Sequence, residues 1–95
     1  MAAYVIGEIE VTDPAVYDDY RKQVLATIQK YGGRFVVRGG SVVPLEGGWQ
    51  PKRLVLLEFP SMEQAQNWYR SSEYAPLLAL RQRASRGRLV LVEGA

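Results

Sequence analysis

Apolar and polar positions alternate at the start of the chain. Val5, Ile9 and Val11 interleave with Tyr4, Glu8 and Glu10, the period-two pattern of a strand. The spacing predicts a strand over Tyr4–Val11, in which Gly7 either weakens the strand or admits a close neighbour. The period then lengthens. Tyr17, Tyr20, Val24, Ile28 and Tyr31 recur at steps of three and four, so one helical face is apolar. Thr12 or Asp13 is placed to cap that helix, and Pro14 suits its first turn. Gly32-Gly33 ends it, because glycine tolerates the left-handed conformation beyond a helix C-terminus. A second strand is expected over Arg34–Arg38, closed by Gly39-Gly40. Residues Ser41 to Pro51 are looser and form either a short hairpin or an arm. The third strand, Arg53–Phe59, is apolar on both sides. Ser61 with Gln64 three residues on signals a capped second helix carrying Met62, Ala65, Trp68 and Tyr69. Pro76 separates it from a shorter helix with Leu77, Leu78 and Leu80. Gly87 is read as a breaker before a last strand, Leu89–Val92, and a short tail from Glu93 to Ala95.

This order is βαββαβ, the ferredoxin-like arrangement of the α+β class: a four-stranded antiparallel sheet with the helices on one face. Helices on one face leave the other bare. Leu54 and Leu56 occupy one side of the third strand, and Val55, Leu57 and Phe59 the other. The last strand repeats this, with Leu89 and Leu91 against Val90 and Val92. A one-sided sheet shows polar alternation instead. Leaving about five such residues in water forgoes on the order of 10 kcal/mol. The expected remedy is a homodimer through the open sheet face. The competing reading, that residues 41–51 fold over their own sheet, asks much of a short and polar segment.

Composition narrows the chemistry. A length of 95 residues predicts one domain, 1–95. The formal charge of +2 is too balanced to imply nucleic acid, and the local cluster Arg81, Arg83, Arg86 and Arg88 reads as a solvated helix end and turn. The chain has no cysteine and no histidine. That removes disulfides, thiolate and imidazole metal ligands, cysteine nucleophiles and the Ser-His-Asp triad. No metal and no cofactor are expected. Carboxylates, tyrosines and lysines remain as acid–base groups. Neither a signal peptide nor a stretch of membrane-spanning length is visible, so no membrane partner and a cytoplasmic location are expected.

Candidate site residues come from polar groups in apolar surroundings. Glu58, on a strand of Leu, Val and Phe, is either a general acid or base or one half of a structural ion pair with Arg38, Arg53 or Arg81. Arg38, beside two glycines, is either an anion stabiliser or the partner of Glu58. Tyr20 and Tyr69 are the preferred pocket hydroxyls, with Trp68, Tyr74, Ser71 and Arg81 as further substrate contacts. Against this, most of the aromatics suit a plain core, and Ser71 and Ser72 suit helix caps. Trp49 is an interface anchor or a lid residue. The Gly39-Gly40 and Gly47-Gly48 pairs lack phosphate-loop spacing and read as turns.

The blocks Tyr31–Phe35, Arg38–Gly40, Leu45–Gly47 and Arg53–Ser61, followed by Trp68-Tyr69, Ser71, Glu73-Tyr74 and Arg81, resemble a bacterial family of unknown function, DUF family thirteen-thirty. The resemblance covers nearly the whole chain. It implies membership of the dimeric α+β barrel superfamily, where the sheets of two protomers face each other. Relatives there include cofactor-independent monooxygenases, muconolactone isomerase and ligand-sensing domains. The resulting expectation is a cofactor-free enzyme performing proton transfer, isomerisation or oxygenation on a small organic acid or enolisable compound. A non-catalytic binding or sensing protein and a structural assembly module are the alternatives.

Overall fold

The computed structural model describes residues 1–95. The elements run β1 (Ala3–Val11), α1 (Pro14–Lys30), β2 (Arg34–Arg38), β3 (Leu54–Phe59), α2 (Met62–Tyr69), α3 (Ala75–Ala84) and β4 (Ser85–Glu93). The strands form one antiparallel sheet in the order β2-β3-β1-β4. All three helices lie on one side, and the molecule measures 36 × 34 × 16 Å, the thickness of one helix layer on one sheet. The expected α+β ferredoxin-like fold is present.

Local chemistry sets the element ends. Asp13 accepts a hydrogen bond from the Val16 amide at 3.2 Å, so Asp13 rather than Thr12 caps α1. The Ser61 hydroxyl accepts from the Gln64 amide at 3.1 Å and starts α2. Gln64 sends its side-chain amide to the Tyr31 carbonyl, tying α2 to the end of α1. The Ser71 hydroxyl accepts from the Tyr74 amide at 3.1 Å and so shapes the turn into α3. Residues 41–51 form an arm without regular structure, with Val43 and Leu45 exposed.

Two departures from expectation have physical reasons. Gly87 does not break the chain; it lies inside β4, opposite Ile9, so β4 begins at Ser85. A Cβ there would sit 2.7 Å from the Glu8 carbonyl oxygen, so glycine permits the close approach of β1. In β2, Phe35 pairs with Leu57 but Val37 pairs with Leu56, which makes Val36 an extra, unpaired residue. This β-bulge reverses the alternation beyond it.

The core lies between helices and sheet. Val5 and Ile9 of β1 and Leu57 and Phe59 of β3 point toward Tyr17, Tyr20, Val24 and Ile28 of α1 and Ala65 and Trp68 of α2. Trp68 packs between Phe59 and Tyr74, at ring separations of 5.4 and 4.2 Å, and donates its indole N–H to Thr27 of α1 at 3.0 Å. Beyond the core, Tyr31 and Lys30 at the end of α1 both donate to the Glu73 carboxylate. On the opposite face, Ile6, Leu54, Leu56 and Val37 are partly exposed, and Val90 and Val92 more so. No helix is long and apolar enough to cross a membrane.

Two outcomes follow from this packing. Gly33 is buried, and a Cβ on it would lie 2.5 Å from the Phe59 ring. Gly33→Ala should therefore lower the unfolding free energy by roughly 1–3 kcal/mol through overpacking, read as a lower urea midpoint. The second outcome concerns acid. Hydrogen bonds from Lys30, then from its own backbone amide and from Tyr31, hold the Glu73 carboxyl down to about 2. Its folded pKa thus lies below the unfolded value of about 4.3. The stability it contributes is present above the unfolded pKa and is lost as pH falls toward the folded one. Glu73→Gln should make the unfolding midpoint less sensitive to pH across that window, with part of the slope left by other carboxylates.

Candidate functional site

The side chains that bear chemistry divide between the two sheet faces. Strand parity decides the division, because successive residues point to opposite sides. On β3, Arg53 and Val55 share the helix-facing side with Leu57 and Phe59, while Leu54, Leu56 and Glu58 share the open side. On β2, Arg34 pairs with Glu58 on the open side, and the bulge carries Arg38 back to the helix side opposite Val55.

A cavity of about 40 Å³ lies between helices and sheet. It has room for roughly one to three water molecules. Its floor is β1, β2 and β3 through Val5, Ile9, Phe35, Val55 and Leu57, and its roof is Tyr17, Tyr20, Ile28, Trp68 and Tyr74. Arg38, Arg53 and Arg81 also line it, and Arg38 is the one exposed lining residue, which marks the opening.

The polar groups inside are few and ordered. The Tyr20 and Tyr74 hydroxyls lie 2.9 Å apart, and Arg81 donates from Nε to the Tyr74 hydroxyl at 3.4 Å. Burial, and then the adjacent Tyr74 hydroxyl, push the Tyr20 phenol well above its usual pKa, so it is a neutral donor and acceptor. Arg38 stacks on the Phe35 ring at 4.2 Å and donates to the Arg21 carbonyl of α1 at 2.8 Å. It thereby bridges β2 and α1 at the opening. Arg53 lies 5.6 Å over the Tyr17 ring, and its Nε is buried without a partner.

The expected site is therefore only partly assembled. Arg38, Tyr20, Tyr74, Trp68 and Arg81 come together in the cavity. Glu58 does not reach it. Its carboxylate accepts from Tyr4 at 2.8 Å and from Arg34 at 2.7 Å, so its ion-pair partner is Arg34 and not Arg38, Arg53 or Arg81. The Tyr4 and Arg34 hydrogen bonds, in that order, hold its pKa below the usual carboxylate value, as an ion-paired carboxylate's is. Tyr69 also lies outside the cavity; it is 40% exposed and faces the groove between α2 and β4. Ser71 spends its hydroxyl on the turn before α3, accepting from Tyr74 and donating to the Trp68 carbonyl. Arg81 is 6% exposed, so it does not belong to a solvated basic cluster with Arg83, Arg86 and Arg88.

Arg53 and Tyr17 are cavity residues that the sequence reading did not assign to the site. The signal for Arg53 was present: it stands two residues before Val55 and four before Leu57, on the inward parity. At the other end of the open face, Glu8 accepts from Arg88 at 2.7 Å and from the Trp49 indole at 2.8 Å. The bare apolar strip thus runs between two polar clusters, Tyr4–Glu58–Arg34 and Trp49–Glu8–Arg88. Nowhere are three or more carboxylates grouped to hold a metal ion.

Comparison with known proteins adds a family. No curated protein matches the chain in sequence. Among solved structures, a protein of unknown function from Rhodopseudomonas palustris superposes with a TM-score of 0.78 at 17% identity, covering 99% of this chain and 82% of that one. SnoaB, a cofactor-independent oxygenase from Streptomyces nogalater, superposes with a TM-score of 0.71 at 12% identity, covering 99% and 93%. An antibiotic biosynthesis monooxygenase gives 0.59 at 10% identity, covering 100% and 99%. At such identities these likenesses establish a shared fold. The family described as Domain of unknown function (DUF1330) matches residues 2–95, nearly the whole chain, and the protein belongs to that family.

Proposed function

We propose that the protein is a cofactor-free enzyme that shifts a proton on a small enolisable compound whose polar end enters the cavity between helices and sheet. The observation that carries this reading is the meeting of the Tyr20 and Tyr74 hydroxyls with Arg81 inside an otherwise apolar enclosure. The carbon-bound proton leaves to solvent hydroxide at the opening, forming water, while the Tyr20 and Tyr74 hydroxyls and the Arg81 guanidinium stabilise the negative charge left on the carbonyl oxygen of the enolate. The fold-level likeness to a cofactor-independent oxygenase supports the reading without extending to residues. Arg38 at the opening is the second anion stabiliser. Glu58 has no part in the cavity, and its place beside the open face is that of an interface residue.

A second reading draws on one specific fact: no carboxylate lines the cavity. Without a strong base, the site suits a substrate that is acidic on its own account, or a ligand that is bound and not transformed.

The reading includes a homodimer, with two open sheet faces packed together. Ile6, Leu56, Val90 and Val92 would be removed from water, and the Glu8 and Glu58 clusters would lie at the rim. Sedimentation equilibrium at micromolar concentration should give a dimer, and Val90→Lys a monomer. A monomeric wild type would rule the dimer out.

The site itself is tested with acetylacetone, phenol and γ-butyrolactone in an amide-shift titration. Shifts should gather around the cavity, and Tyr74→Phe should weaken binding by about three- to tenfold. Carbon-bound hydrogen of acetylacetone should exchange with deuterated solvent faster in the presence of the protein. Binding without faster exchange favours the non-catalytic reading, and shifts confined to the open face would remove the cavity from consideration.

A further inference from the structure

We infer that the cavity is the seat of a planar organic anion, a carboxylate or an enolate, held by Arg38, Arg53 and Arg81. The inference rests on the cavity reading above and adds the charge of the ligand.

Three arginines line the cavity and no carboxylate does. The ion pairs of the molecule all lie elsewhere, at Asp18, Glu73, Glu58, Glu10 and Glu8. Arginine keeps its proton in proteins. The cavity wall therefore carries three positive charges with no internal counterion. Arg38 is exposed at the opening and keeps its water, but Arg53 is partly buried and Arg81 buried, and a charge so placed is ordinarily paired because an unpaired one forfeits its hydration without return.

Each of the three is held in place by something other than a counterion. Arg81 is buried, and its side-chain hydrogen bond runs from Nε to the Tyr74 hydroxyl at 3.4 Å. Arg38 meets a carbonyl and an aromatic ring. Arg53 is the most exacting case, since its Nε is buried and donates to nothing. Backbone opposite is cleared for it: Gly39 has φ of 73°, and a Cβ there would collide with the Arg53 guanidinium. An unsatisfied N–H on a residue given its own space is the complement of a missing acceptor.

Shape restricts that acceptor. A guanidinium fork matches two oxygens in one plane. About 40 Å³ admits a carboxylate or enolate head, while the remainder of the ligand leaves past Arg38. A cation is repelled by the wall, and a neutral ligand leaves the three charges as they were.

The test uses matched charged and neutral probes: acetate against acetamide, and benzoate against benzamide, at equal ionic strength set with sodium chloride. Thermal unfolding of the full chain should rise by about 5 °C with the carboxylates and stay within a degree with the amides. Arg53→Met should abolish the carboxylate response, whereas Arg83→Gln on the surface should keep it. A second arm needs no ligand. Removing one of three like charges relieves the ligand-free protein, so Arg53→Met alone should unfold at a higher temperature than wild type. Equal stabilisation by carboxylates and amides overturns the anion and leaves a neutral-ligand cavity standing. A carboxylate response that survives Arg53→Met and Arg38→Gln overturns the seat by placing the anion elsewhere. No response to any probe, with Arg53→Met less stable than wild type, overturns both the anion and the cavity as a ligand site.

Discussion

The stacking of Trp68 between Phe59 and Tyr74 is the contact on which the rest of the molecule is hung. The indole touches the sheet through Phe59, α1 through its hydrogen bond to Thr27, and the segment leading into α3 through Tyr74. Three elements distant in sequence are thereby fixed at one point of the core. The consequence for chemistry is direct. Tyr74 is fully buried against the indole, and its hydroxyl meets Tyr20 and Arg81. The same aromatic payload that stabilises the domain therefore positions the polar groups of the cavity.

That core occupies one side of a sheet, and the two sides have been given different work. The helix side encloses hydroxyls and guanidinium groups in an apolar shell. The open side carries an apolar strip closed at each end by a satisfied charge cluster. In those clusters the carboxylates already have their partners: Glu58 has Tyr4 and Arg34, and Glu8 has Arg88 and Trp49. Acids are thus paired on one face, and arginines stand unpaired within the other. Charge asymmetry across the sheet, invisible in a net charge of +2, is the electrostatic signature of this protein.

Most of the fold was legible because its signals are local. Asp13 before Pro14, Ser61 before an apolar helical stripe, and Gly32-Gly33 after one each act within a turn of where they stand. Gly87 was misread for the opposite reason. Its role is a close approach to Glu8, seventy-nine residues away, and a glycine cleared for a neighbour looks the same in sequence as a glycine that ends a strand. The site was less legible. The face of Glu58 follows from parity with Leu54 and Leu56, and that arithmetic alone separates it from Leu57 and the cavity. For Arg38 the arithmetic fails. Simple alternation puts Arg34 and Arg38 on one face, and only the extra residue at Val36 parts them. Tyr69 neighbours Trp68 and shares its aromatic character, but one step along a helix turns it about 100° away, into solvent.

The bulge at Val36 also fixes the charge of the cavity. Strand β2 is an edge strand of five residues, so a change in its pairing disturbs few partners. Were the bulge lost at constant strand length, with Val36 taking the place opposite Leu56, Arg38 would fall opposite Leu54 and its guanidinium would pass from the helix side of the sheet to the open side. Pairing at this edge, and not only the identity of residue 38, thus decides how much positive charge the cavity carries.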